Sequence, residues 1–520
     1  MRHARPLVFW PPAIVLVAAV AASLIDFDGF LAAATALNDA LLSVFGAGFA
    51  LLPFAAVVLI ATVVVSPLGA VRIGGPSAQP LLPRWNWFAI TLCTTIATGI
   101  LFWGTAEPIF HISDPPAFSS AEAGTPEAAR FALSTMFFHW SITPYAIYAA
   151  SALAFALAYY NLGGSYSLSA PFAVALGRSP KRGGTSGAAA AALDAAALFS
   201  LVAGVAASLG AGVLTLVGGL EATFGLGDSA WSRLAITLAI VAAYVVSSAT
   251  GLQRGIRILS DVNVRLFFAL ALFVFVAGPT VELLRMGGAA VADYVREFPA
   301  RSVFLGGDAD QGWVRAWTSF NFANWAAWAP ITALFLGRIA RGYTVREFVL
   351  FNVGFPALFG VVWMTVFAGA ALSIDQSSGG DLTRALQERG PEAIIYGVFD
   401  TLPLTAVLAP VFLIVTFVSF TTAMDSNTHS IAGVCLDDGG RADARDGSDD
   451  AEEEKERAGL NIKIFWGVLI GAVAWIMTST IGVAGVKMLS NLGGAPGMLV
   501  LLGSRVALAR LMAMRLRGVL

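Results

Sequence analysis

Along the chain, apolar residues run in long blocks separated by short polar stretches. The blocks fall at about 7–25, 44–71, 87–106, 131–160, 189–220, 231–250, 262–284, 315–337, 347–373, 401–424, 462–482 and 492–512. About 20 apolar residues in a helix match the thickness of a bilayer's hydrocarbon core. The blocks are continuous rather than alternating, which selects helices over a β-barrel. The pattern therefore predicts an all-α integral membrane protein with about twelve transmembrane helices. The first block follows "MRHAR" and ends in "DFDG" without a persuasive A-x-A site, so it reads as an uncleaved span rather than a signal peptide.

The loops between blocks set an expected orientation. Alternate connections carry Arg72 and Arg84, then Arg178, Lys181 and Arg182, then Arg254 and Arg257, then Arg338, Arg341 and Arg346, and finally Arg505, Arg510, Arg515 and Arg517. Positive loops stay in the cytoplasm, so both termini are expected there, in a multi-pass protein of the plasma membrane. The stretch 285–314, with Arg285, Arg296 and Arg301, breaks the alternation and reads as an amphipathic helix lying at the outer interface. Residues 436–459, "LDDGGRADARDGSDDAEEEKERAG", read as a solvated, disordered cytoplasmic loop.

Composition excludes several classes. Hydrophobic residues make up 57% of the 520 and charged ones 12%, with mean hydropathy +0.77, too little polar surface for a water-soluble body. A net charge of −2 argues against nucleic-acid binding. Cys93 and Cys435 suggest neither a disulfide framework nor a metal site, and His3, His111, His139 and His429 form no metalloprotease-like motif. No cofactor is expected.

Four intramembrane stretches are chemically unusual. In "TTIATGILFWGTAEP", 94–108, small residues fit either close helix packing or a locally unwound helix whose carbonyls face a cation or substrate. In "FFHWSITPYAIYAASALAFALAYY", 137–160, Trp140, Tyr145 and Tyr148 spread over an arc of roughly 140° on one helix, loosened at Pro144. An interfacial aromatic belt explains one such ring more easily than three. In "WTSFNFANWAAWAPITALFLGR", 317–338, Phe322, Trp325 and Trp328 recur every third residue, and Pro330 frees a carbonyl beyond them. Core packing is the plain explanation. Two spans each presenting aromatic faces also suit a quaternary ammonium, which lacks hydrogen-bond donors but is held by several π faces within about 6 Å. In "SFTTAMDSNTHS", 419–430, hydroxyls of Ser419, Thr421 and Thr422 either bond back to their own helix or offer hard oxygen ligands to Na⁺.

At these residues the chain resembles the betaine/choline/carnitine transporter family. "GILFWGTAEPIFH", "HWSITPYAIY" and "NWAAWAPITALFLGRIARGYTVREF" are similar to that family's signatures, and "GVAASLGAGVL", "GLQRGIRILSDVN" and "TTAMDS" match further segments, over about residues 8–510. The resemblance implies a leucine-transporter-like fold. Leading helices would occupy 1–86, and a first five-helix repeat (spans 3–7) 87–284. A connector at 285–314 would lead to the inverted second repeat (spans 8–12) at 315–512, with a short tail at 513–520. It implies an aromatic box of Trp140, Tyr145, Tyr148 and Trp325, with Trp328 further along the substrate's path. Thr95, Ile96, Ala97, Thr98 and Gly99 would touch substrate, while Ile96 and Ala97 with Ser419, Thr421 and Thr422 would hold Na⁺. Tyr145 stands where the family usually has Trp, and Phe322 and Asn324 stand at other usual Trp positions. Trimers are frequent in the family.

The expected function is a secondary active transporter, a Na⁺-coupled symporter importing a quaternary-ammonium compatible solute such as glycine betaine, choline or carnitine. Proton-coupled uptake or exchange of a related osmolyte, and a transport-dead membrane sensor, are the alternatives. An enzyme is not expected, because His139 beside Trp140 is the lone candidate near the pocket and Glu107 sits at a helix end without a clear partner.

Overall fold

A computed structural model describes residues 4–95, 99–181, 187–249, 253–436 and 449–519. In chain order the helices are α1 (Pro6–Ile25), α2 (Phe27–Val65), α3 (Arg84–Thr95), α4 (Gly99–Ser113), α5 (Pro126–Trp140), α6 (Ile142–Ala156) and α7 (Ser169–Ala175). There follow α8 (Ala188–Phe224), α9 (Ala230–Ala249), α10 (Gln253–Ala277), α11 (Thr280–Ser302), α12 (Gln311–Val314), α13 (Phe320–Ile339), α14 (Val345–Val349) and α15 (Phe355–Ser378). The chain closes with α16 (Asp381–Arg389), α17 (Ile394–Asp400), α18 (Thr405–Cys435), α19 (Asp449–Ile481) and α20 (Val483–Leu516). Among the described residues only two isolated bridges are extended pairings, Ala4 with Leu436 and Arg72 with Thr344.

Each expected span falls on one helix or on two consecutive helices. By length and hydropathy alone, nine helices among the described residues could cross a membrane. Three expected spans are not among these nine. The third comprises α3 and α4, and 96–98 between them lie outside the described residues. The seventh, α10, turns by 109° into α11. The eighth, α13, carries Asn321, Asn324, Thr332 and its tryptophans.

Several boundaries differ from the sequence pattern. The second span starts at Phe27, not near 44, because the alanine-rich stretch 31–43 continues the helix from an Asp26 cap whose carboxylate accepts from Gly29 N–H at 3.0 Å. The tenth runs on to Cys435, so the hydroxyl-rich stretch lies inside α18 rather than at a span's end. Of the expected loop 436–459, residues 437–448 lie outside the described residues, whereas 449–459 begin α19. There the prediction of disorder gives way to helix, consistent with a Glu- and Lys-rich run of good helix formers.

Of the stretch 285–314, residues up to Ser302 belong to α11, which buries Met286, Ala290 and Tyr294. Its arginines pair with its own acids: Arg285–Glu282 at 2.7 Å, Arg296–Asp293 at 2.6 Å and Arg301–Glu297 at 2.7 Å. At the centre of the bundle α13 packs against α20, α6 and α8. The α13–α20 seam is close because α20 presents Gly494 and Gly497. A Cβ at Gly497 would lie 2.3 Å from the Ala326 carbonyl oxygen. Gly497→Val should therefore force α13 outward, at about 1–3 kcal/mol of overpacking. Thermal unfolding of the detergent-purified protein should show a lower midpoint, and an unchanged midpoint would mean the seam yields freely.

Candidate functional site

Four aromatic rings meet where α5, α6 and α13 converge. Trp325 is the hub: its ring centroid lies 5.6 Å from that of Trp140, 5.7 Å from Tyr145 and 5.3 Å from Tyr148, with interplanar angles of 69°, 69° and 62°. Stacked rings would hide their faces in one another, whereas steeply inclined ones leave faces for a guest. All four side chains are at most 3% exposed, so the cluster is closed to solvent from both ends of the bundle. That burial is too deep for an interfacial belt.

The local cause of the convergence differs from the sequence expectation. The helix carrying Trp140 breaks at Ser141 (φ −117°, ψ −117°), which separates α5 from α6. Trp140 thus sits at one helix end and the tyrosines on the next helix, and Pro144 falls harmlessly in the first turn of α6. Across from them Gly99 opens α4, and a Cβ there would lie 2.8 Å from the Trp140 indole. Its lack of a side chain makes room for that ring.

Other expected site residues fall as follows. Trp328 stands apart from the four rings, its indole against Gly204 of α8. Thr95 ends α3 and donates to the Thr91 carbonyl at 2.8 Å. Ile96, Ala97 and Thr98 lie outside the described residues. Ser419, Thr421 and Thr422 all bond back within α18, to Val415, Phe417 and Val418 carbonyls at 2.7, 2.9 and 2.9 Å. Ser419 also accepts from the Asn263 amide of α10 at 2.8 Å. The back-bonding explanation of these hydroxyls is thus realised, and α18 does pack against α3.

Glu107 is the residue the sequence reading undervalued. Far from lacking a partner, its buried carboxylate takes His139 Nδ1 at 2.6 Å and His111 Nε2 at 3.3 Å on Oε1, and the Trp140 indole N–H at 2.9 Å on Oε2. His139 Nε2 in turn meets the Thr318 hydroxyl at 3.2 Å. The i, i+4 spacing of Glu107 and His111 was a readable signal, since it places both on one helix face. His139 joins from another helix and could be found only through the fold. The network fixes the rotamer of Trp140 and through it one wall of the ring cluster.

An all-helical bundle with broken spans around buried rings defines a membrane-transporter fold. In solved structures it is similar to a Na⁺-coupled sialic acid symporter in a substrate-bound outward-open state (TM-score 0.51, 14% identity, 89% of this chain and 85% of that one), a likeness of fold alone. The model of the betaine/carnitine/choline transporter family matches residues 7–516, and the chain belongs to that family. Relatives include the glycine betaine transporter OpuD of Bacillus subtilis, 30% identical over 84% of this chain and 81% of the relative. Another is an ectoine/hydroxyectoine transporter of Virgibacillus pantothenticus, 29% identical over 90% and 89%.

Truncating the buried carboxylate should be costly. Glu107→Ala leaves the Trp140 N–H and the His139 ring without acceptors, on the order of 3 kcal/mol in stability. Glu107→Gln, which retains an acceptor oxygen, should lose clearly less. Thermal unfolding of the two variants side by side checks the ranking, and equal losses would remove the hydrogen-bond argument.

Proposed function

We propose that the protein is a Na⁺-coupled symporter that imports a quaternary-ammonium compatible solute across the plasma membrane, with both termini cytoplasmic. The observation that carries this reading is the convergence of Trp140, Tyr145, Tyr148 and Trp325 in a buried cluster. A trimethylammonium group has no hydrogen to donate, so inclined π faces are its natural partners, and each desolvated ring contributes up to about 2 kcal/mol.

Two further atoms narrow the substrate class. The Tyr145 hydroxyl and the Trp325 indole N–H are buried and have no hydrogen-bond partner among the described residues. Buried donors without acceptors are costly. A substrate carrying a carboxylate as well as a cation satisfies both, which favours a zwitterion such as glycine betaine over choline. Tyr145, standing where the family usually has Trp, is the source of the hydroxyl. Relatives named for glycine betaine and for ectoine, both zwitterions, support the reading.

Na⁺ is assigned to α18 and the third span. A hydroxyl that donates to its own helix turns its lone pairs outward, as a hard cation needs, and Thr421 has this arrangement. Ser419, Thr422 and carbonyls of Ile96 and Ala97 would complete the set. If Na⁺ and solute each favour the occluded state, each raises the other's affinity by one common factor.

In proteoliposomes an inward Na⁺ gradient should accelerate uptake of labelled glycine betaine. A flux indifferent to Na⁺ but driven by a proton gradient would move the coupling to protons, and binding without flux would mark a sensor. Trp325→Leu should weaken solute binding by on the order of 1–2 kcal/mol, roughly 5–30-fold. Tyr145→Phe should weaken glycine betaine by roughly tenfold, one hydrogen bond to a charged group, while choline changes little. Equal effects on the two solutes in binding assays would remove the carboxylate contact.

A further inference from the structure

A second set of rings lies farther along the same helices and already holds a cation. Lys487, in the second turn of α20, places its ammonium 3.4 Å from the ring centroid of Trp317. Phe320, Trp103 and Phe110 surround it at 5.2, 5.6 and 5.8 Å. The ammonium donates to the Ala316 carbonyl at 3.1 Å, and among the described residues it forms no ion pair with a carboxylate. Trp317 belongs to a π-helical turn, Arg315–Ser319, that precedes α13, and Trp103 and Phe110 come from α4. Trp317 stands eight residues before Trp325, about 12 Å along a helix axis.

The two ring sets occupy different levels of one bundle. The cage around Lys487 is at the end of the bundle away from the N-terminus. Arg338, at the opposite end of α13, stacks on Tyr166, Tyr166 neighbours Gly433, and Arg5 binds the Val434 carbonyl at 3.0 Å. The levels are linked through contacts already described. The Trp317 ring lies 4.7 Å from His111, which bonds to Glu107, which bonds to Trp140.

A lysine ammonium is strongly hydrated, and Lys487 is half-buried, so the π faces and the carbonyl replace part of its water and make its place among four rings favourable. Those faces are what a free quaternary ammonium would use. We propose that Lys487 is the resident cation of a second aromatic cage made by Trp103, Phe110, Trp317 and Phe320. Its tethered ammonium keeps free organic cations out, so the chain binds one such cation where its rings could hold two. Lys487 is thereby a specificity-determining residue. The ligand class rests on the function proposed above, so the test removes the central cluster first.

In the full-length Trp325→Leu protein in detergent, tryptophan fluorescence is titrated with tetramethylammonium chloride against NaCl of equal ionic strength. With Lys487 present, no saturable change specific to tetramethylammonium is expected. Adding Lys487→Met, or Lys487→Gln, should create a saturable change in the millimolar range, and adding Trp317→Leu should abolish it. Failure of both neutral variants to gain the response overturns the proposal, as does the same response with Lys487 in place. The outcome in this background is independent of whether the central cluster binds a solute. The unsubstituted protein supplies a second reading by amine-directed labelling and mass spectrometry. Lys487 should be modified at least tenfold more slowly than the exposed Lys181, and equal rates would likewise overturn the proposal.

Discussion

A single buried carboxylate organises the middle of this protein. An isolated charge in a bilayer-spanning bundle costs several kcal/mol, and Glu107 is tolerable there only because both its oxygens are satisfied. Its partners are His111 on its own helix and His139 and Trp140, which close α5, and His139 reaches on to Thr318 in the turn that precedes α13. Satisfying the charge therefore fixes where α4, α5 and the approach to α13 lie relative to one another. The ring cluster inherits its geometry from that requirement. Trp140 cannot swing away from Trp325 without stripping Glu107 of a donor.

Around this fixed point the backbone is irregular in a consistent way. The helix breaks at Ser141, and π-helical turns occur at Leu157–Asn161, Arg315–Ser319 and Leu350–Gly354. Each lies on a span that contributes to, or packs against, the ring cluster. Irregular backbone inside a bilayer is sustainable only where protein surrounds it, and it leaves groups that can change partners during a cycle. The long helices α8 and α20 pack on the same centre and give these broken spans a frame.

Much of the fold was legible in the sequence because hydrocarbon thickness imposes a length on every crossing helix. Each of the twelve blocks falls on helix, nine such helices among the described residues being long and apolar enough to cross a membrane, and boundaries slipped where local chemistry outweighed hydropathy. Asp26 capped α2 early, and hydroxyls that bond back to carbonyls let α18 run on through Asp425. The aromatic cluster was legible because its rings sit at helical spacings on two spans. The arc drawn through Trp140, Tyr145 and Tyr148 assumed an unbroken helix, and the kink at Ser141 shows the right residues converging by a different route. The partners of Glu107 were not legible. His139 is 32 residues away and Thr318 reaches the network through it, so their proximity is a property of packing rather than of pattern. The environment of Lys487 was hidden for the same reason, with rings drawn from α4 and α13.

The two ring sets pose a problem of discrimination that the chain answers with covalent attachment. Aromatic faces select for cationic charge and low hydration, not for identity, so any accessible cage on the route to the centre would compete for solute. A lysine on a neighbouring helix is present at an effective concentration no dissolved osmolyte of weak affinity matches, because its tether confines it to the site. It differs from a trimethylammonium group in one respect that matters: it can donate a hydrogen bond, and the Ala316 carbonyl beside the cage accepts it. The central cluster offers the reverse, donors on Tyr145 and Trp325 that have no acceptor among the described residues. A zwitterion with a fully alkylated nitrogen suits the second environment and a primary ammonium suits the first. On the function proposed above, the polar atoms at the edges of the rings, rather than the rings themselves, would divide the two cations between the two places.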